Sequence, residues 1–528
     1  MTNETSQTTE MSAALREVFS KAGCVDNANT IALMSQDIWS KGENAAFIAT
    51  PENVEQLTQI VKLAHENGVA LNPRGGGMSY TNGYTPDRKN VGLLDLSRLN
   101  KIIEINANDM YISVQAGVTW VQIDEALKPL GLRTPFWGPL SGLSSTIGGG
   151  LSQNNAFFGA GTYGPSTESV TSVTVVLADG TVVKTGSAGT NGGSPFWRHY
   201  GPDLTGLFLG DAGALGFKAE ATFRLIPRPE FEDWASFEFK TQQDSARATA
   251  EVARQNIASE VFGFDPNLTK IRLKRASLLA DVKTLGNVIK GQGSLLKGLK
   301  EGAKIALAGR DFVEANTWSL HFVVEGRSQA GVKEDMKRLR DIVAKHNAEE
   351  TENSIPKIIR SNPFAPLNTI LGPEGERWVP VHGIVPMSKA ETVWDEIQAM
   401  FASRKDVFEK HKIETGYLTT TLSTNGFLIE PVFIWPEEIF AIHEATIEQS
   451  VLKKTKRHAP NPEVTALVAD ARKEVVAIFQ KHGAAHFQIG RTYPYSQNRI
   501  ADSQAMLEKI KAAIDPNGTV NPGSLGLG

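Results

Sequence analysis

Five polar side chains in the second half of the chain could move protons or hold charge: His382, Glu430, His486, Arg491 and Tyr493. His382 lies in Trp378-Val379-Pro380-Val381-His382-Gly383-Ile384-Val385-Pro386, a strand-like run of small and apolar neighbours. Desolvation in such a strand keeps an imidazole neutral near pH 7, the state a general base needs, although a satisfied core histidine would read the same way. Glu430 interrupts the apolar run Leu428-Ile429-Glu430-Pro431-Val432-Phe433-Ile434-Trp435. An acid isolated there is either paired with a cation or tuned for function. The segment His486-Phe487-Gln488-Ile489-Gly490-Arg491-Thr492-Tyr493 supplies the other three. Arg491 is suited to holding an anion through two parallel hydrogen bonds, unless it forms a surface ion pair.

The first half carries a different signal. Three glycine-bearing stretches, Pro73-Arg74-Gly75-Gly76-Gly77, Thr146-Ile147-Gly148-Gly149-Gly150 and Tyr200-Gly201-Pro202-Asp203-Leu204-Thr205-Gly206-Leu207-Phe208, each fall between strand-like and helix-like segments. Glycine lets backbone N–H groups approach phosphate oxygens, because no side chain blocks the way and positive φ costs little. Together the stretches read as a cradle for a dinucleotide. No Gly-x-Gly-x-x-Gly opens a helix within a βαβ unit with an acid about twenty residues later, so the cradle is not of the Rossmann kind.

Alternating elements must position these groups. Val54, Leu57, Ile60, Val61 and Ala64 recur at helical spacing before Gly68, and a short strand from Val69 then delivers the chain to the first glycine run. Strands are expected at 91–96 and 111–117, and a capped helix from Thr119 to Leu130. Ala178-Asp179-Gly180 is a tight hairpin turn after Val170–Leu177, and Pro227-Arg228-Pro229 marks a domain boundary. Beyond it, longer helices and mixed strands follow. The fold class is α+β.

At 528 residues with 41% hydrophobic content the chain is globular and holds two or three domains. A net charge of −4 gives no general argument for binding nucleic acid. Cys24 is the single cysteine, so no intramolecular disulfide forms and a reducing, cytoplasmic location fits. The opening ten residues are polar and acid-bearing, unlike a secretory signal, and no apolar run is long enough to cross a bilayer. Segment 270–310 is unusually basic, with apolar residues at helical spacing, and offers a peripheral membrane contact, a dock for an acidic electron-transfer partner or a solvated cap helix.

From about Ala45 to Gly528 the chain resembles the FAD-linked oxidases of the vanillyl-alcohol oxidase and p-cresol methylhydroxylase type. Arg74-Gly75-Gly76-Gly77 resembles that family's first FAD loop, and Gly148-Gly149-Gly150 with Gly159, Gly161, Tyr163 and Gly164 its second. Tyr200 to Phe208, then Gly213-Ala214-Leu215-Gly216, resemble the third, and Asp515-Pro516-Asn517-Gly518 with Asn521-Pro522-Gly523 the terminal segment that returns over the cofactor. The resemblance implies a tail at 1–12, a two-subdomain PCMH-type FAD-binding domain at 13–229, a central α+β cap domain at 230–470 roofing the flavin, and a C-terminal return at 471–528.

It also implies FAD held by Pro73, Arg74, Gly75, Gly76, Gly77, Met78, Ser79, Pro139, Thr146, Gly148, Gly149, Gly150, Asn154, Gly159, Tyr163, Gly164, Gly213, Gly216 and Asn521. Many relatives bond a histidine after the first glycine run to the flavin; Met78 stands there, so FAD is expected to be non-covalent, with His458 and Tyr417 as alternative attachment points. Phenol-oxidising members place an aspartate where Pro165 stands. The His-x-Gly-Asp-Gly-Asn cap motif of the 2-hydroxy-acid dehydrogenase branch is absent, and no metal is expected. The implied activity is hydride transfer from a hydroxyl-bearing carbon of a small 2-hydroxy acid, such as D-lactate or glycolate, or of an aromatic alcohol to flavin. Arg491, matching an active-site Arg-Thr of relatives, would anchor the anion, and His382 would take the proton. The rivals are a phenol oxidase and a redox-neutral synthase or lyase. The expected partners are a small-molecule substrate, an electron acceptor that could be oxygen, quinone or cytochrome, and a second copy in a homodimer.

Overall fold

A computed structural model describes residues 13–271 and 316–528, which fold around three larger sheets and a two-stranded pair, Leu132–Arg133 with Ile226–Pro227. The expected tail at 1–12 and the basic segment beyond residue 271 lie outside the described residues. The first sheet is small and parallel, in the order Phe47–Ala49, Val91–Asp95, Ala70–Arg74. Helix Val54–Glu66 crosses over it, begun by Asn53, whose side chain accepts from the Gln56 N–H. Its apolar residues Leu57, Ile60, Val61 and Ala64 face the sheet in one core. This crossover ends the strand Ala70–Arg74 directly at the first glycine run.

The second sheet is antiparallel, in the order Ile102–Asn106, Tyr111–Gln115, Phe217–Arg224, Val170–Val176, Val182–Lys184. The expected Asp-Gly hairpin joins its last two strands, with Gly180 at φ +86°. The capped helix is shorter than the spacing predicts, running Trp120–Leu127 before a single 3-10 turn, because Pro129 removes a backbone donor.

After Ile226–Pro227 the chain enters an eight-stranded sheet that forms the cap. Its order is Glu349–Thr351, Phe231–Phe239, Trp318–Gly326, Glu260–Phe264, Glu414–Leu422, Gly426–Trp435, Arg377–Pro380, with Gly383–Pro386 also on Gly426–Trp435. The boundary expected at residue 470 falls inside helix Pro462–Lys481. Val464, Val468, Ala471, Val475 and Phe479 of that helix all join one core with the strands of the eight-stranded sheet, so the helix packs as a single piece across residue 470. The return is anchored behind the first glycine run: the Leu71 N–H donates to Thr519 O at 2.8 Å and the Asn521 N–H to Leu71 O at 2.9 Å.

A buried ionic cluster joins cap to FAD domain. Arg133 pairs in fork geometry with Glu325 of the cap at 2.6 and 2.7 Å. Arg360 bonds Glu325, Glu260 at 3.1 Å and Glu232 at 2.7 Å. Glu260 in turn accepts from the Gly159 N–H at 2.7 Å, which ties the second glycine-bearing loop to a cap strand.

Candidate active site

Two adjoining cavities lie between the FAD domain and the cap. The first is a trough walled by the 73–79 loop, by Thr146 and Gly148–Gly150, and by Ala212, Gly216 and Lys218. A Cβ on Gly75 would overlap the Thr146 hydroxyl, so the two glycine loops can meet only through glycine. The N–H groups of Gly76, Gly77 and Met78 donate to no backbone acceptor among the described residues. Consecutive free amides of this kind form an anion-binding nest. Lys218 adds positive charge, held at 2.6 Å by Asp211, whose carboxylate also accepts from the Gly213 and Leu215 N–H groups.

The trough residues fit a dinucleotide by two further observations. Thr146 Oγ1 and both polar atoms of the Asn155 side chain are buried without a hydrogen-bond partner, although both residues line the trough. Buried polar groups are rarely left so, which leaves them for a ligand. Gly149 is the second observation. A Cβ there would meet only Thr146 Oγ1, at an ordinary 3.4 Å, so no protein contact requires a glycine on this trough wall. The Gly149→Ala protein is therefore expected to fold at least as stably as wild type without FAD, by up to ~1 kcal/mol of helix propensity. Its FAD content after purification should fall well below stoichiometric. Thermal melting of the apoprotein and the flavin-to-protein absorbance ratio check both halves.

The second cavity, of about 190 Å³, lies under the cap sheet. Strand alternation places Leu418 and Thr420 of one strand, and Leu428, Glu430 and Ile434 of its neighbour, on its wall. Tyr80, Trp378, Phe157 and Phe487 supply aromatic surface. Met78, Pro139, Ser141 and Gln488 line both cavities and mark their junction. Burial, with the charge of Glu430 and the neighbouring Tyr493, pushes the Tyr80 phenol well above its ordinary range, so it stays protonated.

Of the five expected catalytic residues, the structure brings only Glu430 to a cavity wall. His382 is fully buried one layer behind, its ring stacked at 4.0 Å on Phe487, which itself forms the wall. The expectation that His382 lines the site is thus corrected: it falls in the two-residue break between strands Arg377–Pro380 and Gly383–Pro386, where Phe487 and Tyr493 cover its ring. Tyr493 accepts from the His382 N–H at 2.8 Å, and its hydroxyl stands 3.2 Å from His382 Nδ1. His486 Nδ1–H donates to His382 O at 2.8 Å. Tyr493 and His486 therefore belong to the same second layer.

Arg491 is also corrected. Its guanidinium donates to Asn82 O (2.8 Å), Thr85 O (3.0 Å), Asn521 Oδ1 (2.8 Å) and Pro522 O (2.9 Å), which commits it to bracing the C-terminal return. It lines neither cavity. Several expected cofactor residues move likewise. Asn154 is a left-handed helix cap accepting from the Thr167 hydroxyl, and its neighbour Asn155 lines the trough instead. Gly159 packs against Pro135 O, Tyr163 and Gly164 line a separate groove, and Gly213 packs on Pro73. Asn521 braces Gly83 O and Ala212 O. The Tyr200–Phe208 stretch is largely exposed, its Asp203 paired with Arg198 at 2.9 Å, and the trough's third wall comes from the residues that follow it. Tyr417 is buried in the cap core and His458 bonds Glu374 O, and neither reaches the trough. Tyr80, Asn155, Lys218 and Gln488 are among the polar lining residues that sequence reading missed; each stands within three residues of a quoted motif position.

Burial lowers His382 well below its usual range and His486 from 6.5 to about 4. A histidine kept neutral in the fold favours the native state above its unfolded pKa, and that contribution is lost as pH falls, because the unfolded chain takes up the proton first. The melting midpoint is expected to drop between pH 6.5 and about 4, and His486→Asn, which keeps a donor for His382 O, should flatten that slope. Melting curves across this range check it.

The comparisons agree with this geometry. Residues 45–186 match the FAD binding domain family. The fold superposes on p-cresol methylhydroxylase with substrate bound at a TM-score of 0.68, covering 97% of this chain and 95% of that one at 18% identity. The chain is 25% identical over 488 residues to the mitochondrial D-lactate dehydrogenase [cytochrome] of Kluyveromyces lactis, spanning 90% of this chain and 73% of that protein. It is 29% identical to the glycolate oxidase subunit GlcD of Bacillus subtilis over 217 residues, only 41% of this chain and 44% of that protein. The fold and the trough define a flavoprotein with a PCMH-type FAD-binding domain. The chain is similar in fold to the FAD-linked oxidases of the p-cresol methylhydroxylase type, its cofactor is FAD, and its sequence relatives are oxidoreductases. Among the described residues no helix is long and apolar enough to cross a membrane.

Proposed function

We propose that this chain is an FAD-dependent oxidoreductase that removes hydride from a hydroxyl-bearing carbon, and that its substrate is a compact, uncharged alcohol of the benzylic kind. Bound FAD supplies the two-electron acceptor. The observation that carries the reading is the second cavity itself: apolar walls, a single carboxylate at Glu430, and no Lys, Arg or His among its described lining residues. An apolar cavity of about 150 Å³ admits benzene. A cavity of about 190 Å³ therefore suits one substituted ring. Glu430 accepts the hydroxyl proton as hydride leaves, and neutral Tyr80 donates a hydrogen bond that orients the substrate oxygen.

The resemblance to D-lactate dehydrogenase favours a second reading, a small 2-hydroxy acid. Anaerobic mixing with a panel of benzylic alcohols and 2-hydroxy acids separates them: benzylic alcohols should bleach the flavin and hydroxy acids should not. Bleaching by hydroxy acids alone would replace the first reading by the second, and turnover with no electron acceptor would point to redox-neutral chemistry. FAD is held non-covalently in this reading, supported by Met78 at the junction and by the absence of His and Cys from the described lining. Acid precipitation should release all of the flavin.

A further inference from the structure

We infer that Gln488 is a positioning residue that joins the substrate cavity to the flavin, using its side-chain amide to orient Tyr80 on one side and to meet the cofactor on the other. This rests on the reading of the second cavity as the substrate site. Gln488 lines both cavities, and of the four residues that do so it alone carries a group able to donate and accept at once through separate atoms of fixed geometry. Tyr80 lines the second cavity with it, and the Gln488 amide acts on the Tyr80 phenol against the effect of burial, while the same side chain also borders the trough.

The backbone shows that this placement is imposed. Gln488 has φ +50°, the left-handed region that side chains other than Gly, Asn and Asp seldom enter. Its N–H donates to Gln153 O at 2.6 Å, while the Arg491 N–H three residues on donates to Thr81 O at 2.8 Å. Gly490 between them also has positive φ, and a Cβ there would overlap Thr81 O. The Arg491 brace then fastens the segment to the 82–85 loop and to the C-terminal return. Strained backbone of this kind persists where the surroundings over-determine it, and it gathers at ligand sites. Glycine would satisfy the same turn without strain, so a glutamine kept here is kept for its side chain.

The inference is tested on the holoprotein with Gln488→Gly, which relieves the backbone, and Gln488→Leu, which keeps bulk and strain but removes the amide. Gln488→Gly is expected to melt as apoprotein no lower than wild type. Both variants should bind FAD about tenfold more weakly, the effect of one lost hydrogen bond, with a shifted visible flavin spectrum. With any alcohol that reduces the wild type, KM should rise more than kcat falls. Wild-type FAD affinity and an unshifted spectrum in Gln488→Leu would overturn the inference, as would a Gln488→Gly protein that melts lower yet binds FAD normally. Affinity and spectrum are read without substrate, so a wild type that no alcohol reduces sinks the proposed function and leaves this test standing.

Discussion

Replacing Glu430 by glutamine is expected to leave FAD bound and to slow anaerobic flavin reduction by an alcohol about 10²–10⁴-fold, the range that a positioned general base contributes. The substitution is nearly isosteric and leaves the cavity shape intact, so substrate affinity should change far less than the rate. Leu418 pairs with Glu430 across the sheet and Leu428 flanks it on the same face, so the described wall places no second carboxylate there to take over. Rapid mixing under anaerobic conditions reads the step directly. A rate within tenfold of wild type would remove Glu430 from the role of base and return attention to Tyr80.

The second large effect concerns stability. Arg360→Met removes the cation shared by Glu232, Glu260 and Glu325, leaving Arg133 alone against two buried carboxylates. Breaking a buried pair by deleting one partner costs about 3–5 kcal/mol, because the remaining charge stays desolvated. Burial by itself would raise the Glu325 carboxyl, but Arg360 and Arg133 outweigh it and hold it at about 2. Glu260, buried beside the charge of Glu325, is pushed upward instead. A carboxylate with a lowered folded pKa contributes stability that is fully present above its unfolded value of 4.5 and is lost as pH falls toward about 2. Chemical denaturation at neutral pH should therefore show the full loss in Arg360→Met, and the gap to wild type should narrow below pH 4.5. Equal stability at neutral pH would mean that the cluster orients the cap without stabilising it.

Some positions were legible because local chemistry decides them. The runs at 75–77 and 148–150 come together along one trough, since close approach of two loops is a property of residues without a Cβ. Asn154 and Asn155 show where that logic stops: both are small polar residues after the same helix, yet a left-handed cap turns one outward and the other into the trough. The third stretch had the same local look as the first two, and its exposure depends on neighbours far along the chain.

The catalytic residues were harder to read for a related reason. His382 and Glu430 both looked like isolated polar groups in apolar strands, but sheet register put Glu430 on the cavity while a break between two strands left His382 behind Phe487. Arg491 was chosen for its charge, but carbonyls more than four hundred residues earlier in the chain captured it.

By itself the sequence determined the FAD cofactor and the α+β architecture, because glycine placement and hydrophobic period act over a few residues and need no distant partner. Only the tertiary structure decided which polar groups face the second cavity. A cavity wall is assembled from strands and loops of both domains, and which side chains border it is set by pairing register and by long-range hydrogen bonds that leave no local trace.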